Sequence, residues 1–226
     1  MKLTSMSFFG LSLLLCVAAG AAYADTLSFD PTNTFSGTAP TGSLTATFTD
    51  VAGGVQLVIT SNLASGENVA TKKDGFYFNI DPAASSLLSH LSISLTSFTG
   101  FSSTPNPLAT GEDAFKADGD GNYDINLTWA DQGGFTNGQS QTLKITTDSG
   151  SISASEFTNF LSTAAPGGNG TWLAAVHVQN TPSGGEGSAW VGGTPQAVPV
   201  PEPATMLLLG SGLVGLAGFA RRKFKK

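Results

Sequence analysis

Cysteine is almost absent from the 226-residue sequence: its one copy is Cys16, inside a hydrophobic stretch near the start. A single thiol cannot form an intramolecular disulfide, so the fold must be stabilised by burial of side chains or by a metal. The His-Glu-x-x-His and Gly-x-Ser-x-Gly patterns of common hydrolases are also missing. We therefore assign no catalytic residue and expect a protein that is not an enzyme.

Charged residues are scarce as well, at 12% of the chain. Residues 25–198 contain four bases against 15 acids, because Glu202 is the only acid outside that range, and their net charge is −11. Such a surface repels phosphate backbones, so nucleic acid is excluded as a partner. The same charge favours solubility outside the cell or the binding of cations.

Residues 1–24 have the layout of a cleavable secretory signal. Lys2 precedes an apolar run at 8–19, and the small residues Ala22 and Ala24 follow at the −3 and −1 positions that signal peptidase recognises. We predict cleavage after Ala24. Two alternatives are acylation of Cys16, which Leu15 disfavours, and a retained membrane anchor, which the short apolar run disfavours.

The other end of the chain has three consecutive parts. Residues 195–203 form a proline-rich spacer, in which four prolines favour extended backbone. Residues 204–220 are an apolar run of 17 residues, just long enough for a transmembrane helix. The basic tail at 221–226 then stays in the cytoplasm by the positive-inside tendency, which places the rest of the chain outside. A simple tail anchor is the alternative reading.

The spacer and helix contain the order of features that defines a known sorting signal. Pro201, Glu202 and Pro203 precede the apolar run, and Arg221 and Arg222 follow it. This end of the chain resembles the PEP-CTERM signal of Gram-negative bacteria that make exopolysaccharide. The resemblance implies recognition by exosortase, a membrane-embedded cysteine transpeptidase, and removal of the helix. It also implies an inner-membrane-anchored precursor that later reaches the outer surface or the extracellular matrix.

Residues 25–194 show the period-two alternation of β-strands. Leu44, Ala46 and Phe48 alternate with threonines, and a glycine pair at 53–54 separates them from a second alternating run, which predicts a hairpin. We expect an all-β domain, an antiparallel β-sandwich of jelly-roll type, with a short helix at 153–161. The side chains predicted to lie inside are Phe48, Leu57, Ile59, Phe78, Ile93, Leu127 and Val176.

One acidic loop has the spacing of a cation site. Asp118, Asp120, Asn122 and Asp124 alternate with glycines and a tyrosine, so several oxygens can face one hard cation such as Ca²⁺. Glu112 and Asp113 could add ligands. The loop lacks the closing glutamate of an EF-hand, and the alternative is a plain Gly/Asp turn before a strand.

Aromatic and histidine side chains are the remaining candidates for a binding site. Trp190 stands near several glycines and is predicted to be exposed, where its ring can stack on a sugar. Trp129 and Trp172 fit apolar strand faces and are predicted to be buried. His177 falls on the opposite face to its apolar neighbours, and we expect it to face solvent.

The sequence thus favours an exported, exosortase-sorted protein of the envelope or extracellular matrix. Its middle domain is expected to be a non-enzymatic structural or binding module associated with surface exopolysaccharide. The alternative is a secreted carbohydrate-active enzyme that uses a pair of carboxylates.

Overall fold

The computed structural model describes residues 24–182 and 187–196. Twelve strands make up most of this region, together with a 3₁₀ helix at Pro82–His90 and one short α-helix, α1 (Ser155–Thr158). The strands are β1 (Ala24–Gly37), β2 (Ser43–Val51), β3 (Gly54–Asn62), β4 (Asn68–Val69), β5 (Phe76–Phe78), β6 (Leu91–Thr99), β7 (Ala109–Lys116), β8 (Gly121–Leu127), β9 (Ser140–Thr147), β10 (Thr163–Ala164), β11 (Ala174–Thr181) and β12 (Gly187–Pro195).

All strand pairs are antiparallel and belong to one sheet. The order is β10-β8-β5-β11-β12-β1-β2-β3-β9-β6, with β4 beside β11 and β7 beside β8. The predicted β2–β3 hairpin is present: Val51 pairs with Gly54, and Gly53 adopts the positive φ of 75° that this tight turn requires. The all-β, antiparallel fold predicted from the alternation is therefore confirmed.

The sheet folds over itself, so that two of its halves bury a common core. Phe29 of β1 contacts Phe76 of β5 edge-to-face at 5.7 Å, and Phe48 of β2 contacts Phe78 of β5 at the same distance. Phe157 of α1 stacks on Phe48 at the end of this core. The arrangement is sandwich-like, with hydrophobic side chains from both halves interdigitating.

Six of the seven side chains predicted to lie inside are at most 2% exposed. The exception is Ile93, which is only partly buried because β6 is the last strand of the sheet. Helix α1 lies within the region 153–161 where a short helix was predicted. Strands β1, β7 and β12 were not predicted, since their alternation is broken by bends or glycines.

Strand β1 bends in the middle, and the bend matters for the candidate site. Its register with β12 shifts between Phe29 and Thr34, where the Asp30 carboxylate accepts hydrogen bonds from the backbone and hydroxyl of Thr32. Beyond the bend β1 leaves β2 and continues beside β12 alone. This second half brings Phe35 to the outer side of the sheet.

The two ends of the domain lie side by side. Leu27 pairs with Pro195, and the backbone N–H of Gln196 donates to the Thr26 carbonyl at 2.7 Å. Ala24, the predicted −1 residue of the signal, is the first residue of β1, and Pro195, the first residue of the predicted spacer, is the last of β12.

The remaining predictions for the two ends, including Ala22, the spacer after 196 and the basic tail, lie outside the described residues. Among the helices of 24–182 and 187–196, none has the length and hydropathy needed to cross a bilayer. The predicted membrane helix at 204–220 is not part of that range.

Candidate functional site: the outer aromatic face

Strands β5, β11 and β12 are covered on both sides of the sheet. Their inner side chains belong to the sandwich core, whereas Tyr77, Ala175 and Trp190 point outward into a second hydrophobic cluster. We call this second cluster and the rings around it the outer aromatic face. Its members are Phe35, Tyr77, Phe115, Tyr123, Trp172, His177 and Trp190.

The ring of Trp172 packs directly on the backbone of Gly192 in β12. A Cβ atom at Gly192 would lie 2.1 Å from the indole ring of Trp172, so only glycine lets the ring rest on the strand. The other neighbour of this indole is Phe35, whose ring stacks at 6.2 Å with an interplanar angle of 22°. Both rings are partly exposed, and they form the accessible part of the outer aromatic face.

His177 lies flat against Trp190, with ring centroids 4.7 Å apart and an interplanar angle of 10°. The two residues are direct cross-strand neighbours of β11 and β12. The Nδ1 atom of His177 is buried and has no hydrogen-bond partner among the described residues. Burial lowers the pKa of His177, and the nearby carboxylates of Asp74 and Asp118 oppose that shift.

Tyr77 fills the centre of the face. Its ring contacts Trp190 at 5.0 Å, and its hydroxyl donates to the Asp74 carboxylate at 3.1 Å. Burial, followed by the negative charge of Asp74, raises the pKa of Tyr77 above its ordinary value. The face therefore combines apolar rings with acidic groups at its rim.

Asp120 is almost fully buried and anchors the loop beside the face. One carboxylate oxygen accepts from the backbone N–H of Thr171 at 2.8 Å and from its hydroxyl at 3.2 Å. The other oxygen accepts from the hydroxyls of Tyr123, at 2.6 Å, and Ser162. Four protein donors thus satisfy this carboxylate, and burial together with the Asp120 hydrogen bond raises the pKa of Tyr123.

The other three residues of the predicted calcium loop lie in different surroundings. Asp118 is exposed, and Asn122 lies on β8 opposite Lys116 and Thr163. Asp124 accepts backbone hydrogen bonds from Ile80 and Asp113. Within 24–182 and 187–196 there is no group of three His, Cys, Asp or Glu side chains placed to hold a metal ion. Calcium binding by this loop stays a prediction.

Asp124 belongs instead to a shallow acidic cleft. The cleft is lined by Asp124 with Glu112 and Asp113 of β7 and by the exposed side chain of Leu161. Because both oxygens of Asp124 hold backbone N–H groups, this carboxylate positions the β7–β8 hairpin. Glu112 and Asp113 are exposed at the rim of the cleft.

The structure corrects three predictions about individual rings. Trp190 is only 7% exposed, because it lies within β12 under His177, whereas Trp172 is partly exposed in the segment before β11. His177 does not face solvent freely, since its ring packs on Trp190. Trp129 is fully buried as predicted. The signal that sequence reasoning missed is the Gly192-Gly193 pair inside a strand, which indicates close packing of a large ring.

The comparisons with known proteins bear on the C-terminal end of the chain. The family model of the PEP-CTERM protein-sorting motif matches residues 199–223. The protein is thus an all-β exported protein whose described fold ends at Gln196, three residues before this match. It carries a PEP-CTERM motif, and this motif marks a membrane-anchored precursor that exosortase processes. No curated protein and no solved structure matches the chain.

Proposed function

We propose that the protein is a non-enzymatic module of the cell envelope or extracellular matrix, and that its outer aromatic face binds surface exopolysaccharide. The main support is the placement of Trp172, whose partly exposed ring rests on Gly192 and stacks on Phe35. A side chain of that size, held by a residue with no Cβ, forms a flat and preorganised surface. The sorting motif supplies the cellular context, because it marks the protein for export.

The chemistry of the face suits a neutral or weakly polar sugar chain. The apolar C–H faces of a pyranose ring pack on aromatic rings, while hydroxyl groups need hydrogen-bond acceptors and donors beside them. Asp74 and the exposed Asp118 provide acceptors at the rim. The net negative charge of the domain disfavours strongly anionic polysaccharides at low ionic strength.

Binding is tested with the processed protein, purified from its producing cells, and the exopolysaccharide isolated from the same cells. Trp172→Ala removes the exposed ring, and Gly192→Ala displaces it without changing the ring itself. Each substitution should weaken binding about ten-fold, the equivalent of one aromatic contact of about 1.4 kcal/mol. Leu161→Ala is the matched control, since it removes an exposed apolar side chain from the acidic cleft. Unchanged affinity in both Trp172→Ala and Gly192→Ala would contradict the proposal.

If the protein is instead an enzyme, its carboxylate pair is expected in the acidic cleft, where the carboxylates of Glu112 and Asp113 are exposed to solvent. The enzyme alternative has less support, because Asp124, the third carboxylate of the cleft, accepts hydrogen bonds from two backbone N–H groups and so has a structural role. We expect no release of reducing ends when the processed protein is incubated with the exopolysaccharide. If the wild-type protein releases reducing ends and Glu112→Gln does not, the protein is a glycoside hydrolase rather than a binding module.

A further inference from the structure

Strand β6 is an open edge of the sheet. Its nine residues, Leu91–Thr99, pair with β9 on one side. Along its other side no strand is paired among residues 24–182 and 187–196. The N–H and C=O groups that point outward from β6 are therefore available to a further strand.

The edge at the other end of the sheet differs from β6. Strand β7 carries Glu112, Asp113 and Lys116, its register breaks between Thr110 and Phe115, and Asp113 adopts a positive φ of 51°. Charges and irregular backbone of this kind prevent edge-to-edge pairing in natural sheets. Strand β6 has neither a charged residue nor a proline, and its single irregularity falls between Leu95 and Ser97.

We propose that β6 pairs antiparallel with β6 of a second copy of the chain, so that one sheet continues through a two-fold dimer. The segment is self-complementary, because Leu91, Ile93 and Leu95 point to one side and small hydroxyl residues to the other. These three apolar side chains are only partly buried in the monomer. In a symmetric antiparallel pair they lie beside the same residues of the partner and become covered.

Charge limits where two copies can meet. Residues 25–198 carry a net charge of −11, so most surfaces of two copies repel each other. Strand β6 is an uncharged stretch of edge where two copies can approach without opposing their carboxylates. The exposed ring of Phe98, 53% accessible, lies on the same strand and adds apolar surface to the contact.

The oligomeric state of the processed protein, measured by sedimentation velocity over a range of concentrations, tests this dimer. We expect a dimer, and we expect Ser92→Lys with Ser94→Lys to raise its dissociation constant about ten-fold or more, through like charges placed across the contact. Both serines are exposed, so the fold tolerates the lysines. The control is Ala109→Lys with Ala114→Lys, which adds the same charge to exposed positions of β7. A monomer at every concentration, or a dimer that only the control weakens, would overturn the proposal.

Disulfide trapping gives a second measurement that does not depend on the lysine variants. The sequence has no cysteine after Cys16, so an introduced thiol is the only one in residues 25–226. Cysteine is placed singly at Ser92, Ser94 and Thr96, and at Ala109 as the control. At least one β6 variant should form a disulfide-linked homodimer under mild oxidation, and the Ala109 variant should not. Absence of the homodimer in all three, or trapping of a different chain, would refute pairing with a second copy.

Discussion

The two sides of the β5–β11–β12 part of the sheet are built from different chemistry. On the inner side Phe76, Phe78 and Val176 belong to a large core made almost entirely of hydrocarbon. On the outer side Tyr77, His177 and Trp190 pack together with carboxylates beside them, and Trp172 remains partly accessible. The inner side closes the fold, whereas the outer side keeps polar atoms and a partly exposed ring surface.

This difference predicts that equal substitutions on the two sides have unequal effects. Trp129 is fully buried, contacts Phe76 and Phe135, and donates its indole N–H to Gln141 at 2.8 Å. Trp129→Ala should lower the free energy of unfolding by about 3–5 kcal/mol. Trp172→Ala, on the outer side, should cost about 1–2 kcal/mol because its ring is partly solvated already. Guanidinium unfolding of the processed protein measures both, and equal losses would remove the distinction between the two sides.

Asp120 extends the comparison, because its carboxyl group is buried on the outer side. Asp120→Ala leaves the hydroxyls of Tyr123 and Ser162 and the N–H of Thr171 without their acceptor. We expect a loss of about 2–3 kcal/mol, less than for Trp129 and more than for Trp172. Asp118→Ala, two residues away and exposed, is the control and should be close to neutral. A neutral Asp120→Ala would show that these hydrogen bonds are replaced by water.

His177 makes the outer side sensitive to pH. Because burial lowers its pKa in the folded state, the unfolded chain binds a proton at a higher pH than the folded chain does. Its contribution to stability is therefore lost as the pH falls below about 6.5, the ordinary value for histidine. Between about pH 7.5 and pH 5.5 the melting temperature should fall, and His177→Gln should reduce that fall. An unchanged fall in the melting temperature of His177→Gln would contradict this account.

The smallest expected effect concerns calcium. Asp120 is already held by four protein donors and Asp124 by two backbone N–H groups, so Asp118 and Asn122 are the side chains of this loop left for an ion. We expect millimolar Ca²⁺ to raise the melting temperature by about 2–4 °C or less, and Mg²⁺ to raise it by a smaller amount. Asp118→Asn should abolish the rise. Identical melting in calcium and in chelator would show that the loop is only a turn.

The sequence was informative where one side of a strand is polar and less so where both sides are buried. Strands β2, β3 and β9 alternate cleanly, and their pattern predicted both the strands and the inner core. Strand β12 reads Gly-Ser-Ala-Trp-Val-Gly-Gly-Thr-Pro, and its burial on two sides conceals the period of two. For this reason Trp190 was predicted to be exposed, although it lies within a central strand.

The candidate site could be predicted only in part. Trp190 was recognised as a candidate, whereas Trp172 was predicted to be buried and His177 to face solvent. The neighbours of these rings come from distant segments. Phe35 reaches Trp172 through the bend in β1, and Tyr77 reaches Trp190 from β5. The acidic loop was noticed for its spacing, yet the spacing does not reveal that Ser162 and Thr171 satisfy Asp120. Such contacts depend on the long-range pairing of strands, which local patterns do not encode.

The three tryptophans allow the most direct measurement, because one lies on the inner side and two on the outer side. Protein labelled with 5-fluorotryptophan gives three ¹⁹F resonances, which single Trp→Phe variants assign. On addition of the isolated exopolysaccharide, the resonances of Trp172 and Trp190 should shift, and that of Trp129 should stay unchanged. If none of the three shifts at saturating polysaccharide, or if Trp129 shifts as much as the other two, the outer aromatic face is not the binding surface.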